Sequence, residues 1–200
     1  MFQRSLSSLV GAGLLLLAGS AHATVLVSTD LADMARRAQA IVHGVVVDVQ
    51  PQWTDGRGRI ESVVTVQVLD RLKGDLGDRT VFQVPGGQIG RYRSVLVGAP
   101  AFQVGDEAIL FLGGQGPVLP YVIGLGQGVF RVVQDRATGR PMVTPPALVA
   151  QSTAPQTVVR GDPARKPVPL DQFLSQVRAL STAAANARDV RASRVPDKRK

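Results

Sequence analysis

Six residues have the chemistry of recognition: Trp53, Arg57, Arg59, Arg91, Tyr92 and Arg93. A guanidinium group is planar, always charged, and pairs with anions or stacks on aromatic faces. An aromatic ring adds a flat surface on which a sugar or a base can stack. These residues fall in two short stretches, 53–59 and 91–93, each rich in turn residues. Together they would suit a polyanion or an oligosaccharide. The plainer reading of the same residues is a solvated loop surface.

Catalysis and metal binding have less to work with. His43 is the one histidine beyond residue 23, and there is no cysteine. A zinc site needs several such ligands, and a Ser-His-Asp triad would have to use a histidine in mid-strand. Gly124-Leu125-Gly126-Gln127-Gly128 imitates a phosphate loop but lacks the Gly-x-Gly-x-x-Gly spacing, and strand residues follow it where a helix is required. It reads as a strand connector. Asp106-Glu107 and the pair Asp75 and Asp78 sit at turns, with nothing to face them across a cleft and no dense acidic loop for calcium. The expectation is a protein without catalytic residues, metal or cofactor.

The elements that must carry the six residues are mostly strands. The stretch Ile60 to Gly74 dominates, with Val64, Val66 and Val68 on one face and Val63, Thr65, Gln67 and Leu69 on the other. Period-two alternation in β-branched residues marks a half-buried strand. The pattern breaks at Asp70, which predicts a bulge or bend there. Ile41 to Val49 precedes it as a strand in which Gly44 predicts a bulge or a close backbone approach. Pro51 and Trp53 to Gly58 then read as the loop between the two. Arg79 to Val84 is a third strand, closed by Pro85-Gly86-Gly87, and Gln88 to Pro100 is a long excursion with Phe102 as an anchor beneath it. Glu107 to Leu112 is nearly all apolar, so both its faces should be buried. Tyr121 to Leu125 is a further short strand, and Gly128 to Gln134 with Met142-Val143 forms a hairpin around residues 135–140.

Two helices flank these strands. Residues 29–38 place Asp33 early and Arg36 and Arg37 late, as the helix dipole favours, with Leu31, Met34, Ala35 and Ala38 as an apolar stripe. Leu170 to Leu180 carries Leu170, Phe173, Leu174, Val177 and Leu180 at helical spacing. Residues 154–169 are Pro-rich and read as a linker. From Ser181 the composition turns to Ala, Arg and Lys, which predicts disorder.

The totals add a compartment. A positive start, the apolar run Leu9 to Ala18 and Ala21-His22-Ala23 together read as a secretory signal peptide over residues 1–23, too short to span a bilayer. Without cysteine the exported chain depends on a hydrophobic core alone. Its charge is uneven: 24–159 holds 12 Lys and Arg against 11 Asp and Glu, whereas 160–200 holds 10 against 4. The basic tail offers contact with an anionic surface, or simply solubility.

Several turns combine into a recognisable plan. A bulged first strand, Lys73-Gly74-Asp75 after the second, Pro85-Gly86-Gly87 closing the third and Gly105-Asp106-Glu107 opening into a buried strand follow one another. This arrangement resembles the netrin-like module, the OB-fold barrel of the tissue inhibitors of metalloproteinases, and is similar to exported bacterial proteins of that plan. The match covers about Ala40 to Leu112, well under half of the chain. It implies a barrel with a binding role toward an exported protease. It implies no inhibitory residue, because those inhibitors bind their target's metal through an amino-terminal cysteine and this chain has none.

The expectation is therefore a mainly β protein: an OB-like closed or partly open barrel over 24–150, with a short N-terminal helix. A linker over 151–169, an amphipathic helix over 170–180 and a basic tail over 181–200 follow it. Its expected role is that of an exported, periplasmic or extracellular, non-enzymatic binding module for another exported protein, with no nucleic acid as partner. Adhesion to an anionic polymer or membrane surface is the alternative.

Overall fold

The structure is a computed structural model that describes residues 30–54, 56, 58–114, 119–146 and 166–193. The expected signal peptide, Arg57, most of the linker and the last residues of the tail lie outside these.

A single β-barrel stands at the centre. Strands β1 (Ala40–Thr54), β2 (Arg59–Lys73) and β3 (Arg79–Pro85) form an antiparallel meander. The chain then makes a small separate hairpin, β4 (Gly87–Ile89) and β5 (Tyr92–Ser94), before returning as β6 (Glu107–Gly113) and β7 (Tyr121–Val122). β7 pairs with β3 in parallel and with β6 antiparallel, and β6 pairs back onto β1. The order β1-β2-β3-β7-β6-β1 closes a five-stranded OB-like barrel, as expected from the sequence. β8 (Val129–Gln134), β9 (Pro141–Thr144) and β10 (Val168–Pro169) extend the sheet outward from β6.

The inward alternation of β2 places Val64 and Val66, both fully buried, against Val42, Val46, Phe82, Leu110 and Leu112. Thr65 and Gln67 point outward and are half-buried or less. β1 and β2 are not in perfect register: Leu69 and Leu72 in β2, and Val47 in β1, each stand opposite no partner. The first two flank Asp70, where the alternation fails in the sequence. Gly44 adjoins one of these shifts, and a Cβ there would come within 2.4 Å of Val66 Cγ1 and 2.5 Å of Gln67 O. Its backbone therefore crosses β2 too closely for any side chain.

A second core lies outside the barrel. Ile41, Leu72, Ile109, Phe111, Phe130 and Val143 turn outward and are covered by α1 (Leu31–Arg37) and α2 (Leu170–Ser193) through Met34, Ala35, Phe173 and Val177. β6 thus feeds Leu110 and Leu112 to one core and Ile109 and Phe111 to the other, which explains its unbroken apolar sequence. Lys73 ties α1 to the barrel. Its Nζ donates to Ala35 O (2.6 Å) and Ala38 O (2.5 Å), carbonyls that the end of the helix leaves without intrahelical partners.

Three boundaries differ from the sequence reading. β1 continues through Pro51 and Trp53 to Thr54, so the expected loop shrinks to 55–58. Beyond Val46 this part of β1 pairs only with β2, and an edge tolerates Pro51 because its missing N–H breaks no ladder bond on a second side. Val168-Pro169, expected in the linker, pair with Val143 and Met142 as β10. The C-terminal helix runs to Ser193, not Leu180, with Ser181 and Ala184 buried. Alanine favours helix more than any other residue, so the segment read as disordered propagates a helix already anchored by Phe173 and Val177.

Candidate functional site

The functional surface grows from the way β1 and β2 project beyond the barrel. The inner face of this projecting pair carries Pro51, Trp53, Ile60 and Ser62. The β4–β5 hairpin lies directly upon it. Gly86 and Gly87 make the close approach possible, with φ of +100° and +147°, values that side chains disfavour. A Cβ on Gly87 would stand 2.7 Å from Ser62 Oγ and 3.1 Å from both Ile60 Cγ2 and Pro51 Cβ. The contact is pinned by Gly86 N–H donating to Ile60 O (2.9 Å) and Ser62 Oγ donating to Gly86 O (2.8 Å).

The hairpin turns at Gly90-Arg91. Gly90 has φ +56° while Arg91 does not share the left-handed region, the pattern of a two-residue turn with glycine first. This turn brings the two aromatic stretches together. Trp53 and Tyr92 meet edge to face with ring centroids 5.5 Å apart. The Arg91 guanidinium lies 5.1 Å from the centre of the Tyr92 ring and donates to Tyr92 Oη (3.0 Å). Ile89 and Gly90 complete a shallow cavity of about 440 Å³ around these three side chains.

Of the six residues singled out in the sequence, Trp53, Arg91 and Tyr92 form this cluster. Arg93 does not join it. Alternation along β5 sends it to the opposite face of the hairpin, where it lines a cleft of about 480 Å³ at the mouth of the barrel. Arg59 is exposed and pairs with Thr54, one position beyond the Trp53–Ile60 pair, so the pleat turns it to the outer face. Arg57 lies outside the described residues.

The cleft has apolar walls from Val64, Val84 and Phe102, and Arg93 is the one charged residue that lines it. Phe102 plugs the mouth of the barrel, 8% exposed and edge to face with Phe82 at 5.4 Å. It is the anchor that the sequence leads one to expect. Arg131 holds its loop in place by donating to Asp106 Oδ2 (2.8 Å) and to Ala101 O, with its guanidinium over the Phe102 ring.

Sequence reasoning missed the apolar residues beside the cleft. Val95, Leu96 and Val97 are 72%, 47% and 82% exposed, next to the half-exposed Tyr92. Three consecutive apolar residues inside a Gly-rich excursion were a usable signal, but only the hairpin shows that nothing covers them. The remaining candidates find ordinary roles. His43 is buried, and its Nε2 donates to Glu107 Oε1 (2.7 Å). Asp106 pairs with Arg131, and Asp78 with Arg71. Gly124 to Gly128 is a strand connector containing a short 3-10 turn, with Leu125 at φ +57°. Among the described residues no group of three potential metal ligands comes together, and no helix is long and apolar enough to cross a membrane. Comparison of the chain with protein-family models, with curated proteins and with solved structures finds no match.

Proposed function

We propose that this chain is an exported, non-enzymatic binding module that recognises another exported protein through the end of the barrel carrying Trp53, Arg91, Tyr92 and Arg93. One observation carries the reading: the Trp53–Tyr92–Arg91 stack lies beside the exposed run Val95 to Val97. Tryptophan, tyrosine and arginine are the residues that most often dominate protein interfaces, and contiguous exposed apolar surface marks such a site. The stack is also held in place before binding, by the glycine-mediated contact of the hairpin with β1 and β2, which lowers the entropy lost on association. An exported protease is the partner class implied by the netrin-like resemblance.

A second reading is supported by the charge at the same end, where Arg59, Arg91 and Arg93 are all exposed. These would favour an anionic polymer or membrane surface. Affinity capture from the exported fraction with the tagged protein separates the two. A protein partner that persists at raised salt and is lost with Trp53→Ala supports the first reading. Binding that vanishes at raised salt and ignores Trp53→Ala supports the second. A protein that retains nothing in either condition overturns both.

A further inference from the structure

The mode of binding can be read from the hairpin itself. In a two-residue hairpin the pair flanking the turn exchanges the ladder hydrogen bonds, so Ile89 and Tyr92 bond to each other. The next pair, Gln88 and Arg93, must then aim its backbone groups away from the hairpin. β4 and β5 form a sheet of their own, and among the described residues no strand pairs with the outer edge of β5. The N–H and C=O of Arg93 thus stand at an open edge of the kind that accepts an added strand. Most exposed edges are blunted by charge, and this one carries only positive charge, from Arg91 and Arg93. The Arg93 side chain makes no hydrogen bond or ion pair among the described residues, and no carboxylate lines the cleft it faces.

The two faces of β5 differ in a way that selects what could be added. Tyr92 faces Trp53, an aromatic surface, while Arg93 faces the opposite side. A strand laid against this edge would alternate in step with β5. One of its side chains would meet the Arg93 guanidinium, and the neighbours on either side would meet the Tyr92 face. We infer that the free edge of β5 receives an extended segment of a partner protein as an added strand, with an acidic side chain set against Arg93 between two apolar ones set against Tyr92. Backbone hydrogen bonds to Arg93 supply affinity, and the acidic–apolar alternation supplies specificity. This rests on the proposal that this end of the barrel binds protein.

The test uses the full chain and an array of acetylated, amidated heptapeptides. Each has glutamate at its centre and varied apolar residues on both sides, with a matched array that has lysine at the centre. Members of the glutamate array should bind and their lysine counterparts should not. Arg93→Glu should weaken binding about tenfold or more, as loss of a close charge pair does, while leaving the melting temperature unchanged. Methylating the backbone nitrogen of the central glutamate should abolish binding, which loss of side-chain contacts alone would not explain. Failure of every glutamate peptide to bind, or binding indifferent to Arg93→Glu and to methylation, overturns the strand-addition mode. If a captured partner still depends on Trp53 in that case, the binding-module reading survives it.

Discussion

Val66 and Thr65 are neighbours in β2 and face opposite environments. Val66 is fully buried inside the barrel, and Thr65 is half-exposed outside it. Val66→Asp buries a carboxylate with no partner and should cost roughly 3–5 kcal/mol. Thr65→Asp keeps its charge in contact with water and should cost less than about 1 kcal/mol. Denaturant melts of the two variants check this, and equal small losses would remove Val66 from the core. At the other end of the molecule, Asp135 opens the turn between β8 and β9. The Thr138 hydroxyl and the Ala137 N–H donate to its carboxylate and hold its pKa below the ordinary aspartate value. A depressed pKa means that the charged form favours the folded turn. The contribution is complete above the ordinary carboxylate range and is lost as pH falls through the folded pKa. An NMR titration should place the Asp135 midpoint below that of an exposed aspartate, and Thr138→Val should move it back up.

Among the elements, the β4–β5 hairpin matters most for recognition, and its position depends on two glycines. Gly87→Ala puts a Cβ into Ser62 Oγ and forces alanine to a φ of +147°. The hairpin must shift, at a cost of about 1–3 kcal/mol. Trp53 is the sole tryptophan, so its fluorescence reports this event directly. The expected outcome is a red-shifted emission, as the Trp53 ring loses Tyr92 and gains water, with the barrel still folded. Unchanged emission would mean that the glycine does not set the hairpin's position. The hairpin was not legible as an element. Gly90-Arg91 is a usable turn signal, but three-residue strands are too short to show a period. The sequence pattern therefore shows only an excursion from Gln88 to Pro100.

For the whole molecule, α2 is the lid of the second core. Its Phe173 stacks against Phe130 with ring centroids 4.8 Å apart, and Val177 is fully buried. Truncation before Leu170 should therefore cost more than about 3 kcal/mol, because the loss of one such aromatic residue alone costs roughly 3–5. Truncation after Leu180 removes only the small buried residues Ser181 and Ala184 from the described part and should cost less than about 1.5 kcal/mol. Thermal melts of the two truncated chains measure the difference. Equal losses would place the anchoring contacts in the second half of the helix.

The sequence by itself determined what local periodicity can encode. The alternation of Val64, Val66 and Val68, the unbroken apolar run of β6 and the stripe of Leu170, Phe173 and Val177 each state which face is buried, and the structure buries those faces. The breaks in pattern at Asp70 and Gly44 likewise marked the bulges, because a bulge shifts the alternation within its own strand. Barrel closure required the tertiary structure. It joins β6 to β1 and β7 to β3 across long stretches of sequence, and a pairing partner leaves no trace in a strand's own period. The binding surface depended on the same thing. Trp53, Arg91, Tyr92 and Arg93 could be named from their types, but separating Arg93 from the other three depended on which face of a three-residue strand each occupies. That face is decided by the close contact of Gly87 with Ser62, a meeting of residues from different strands.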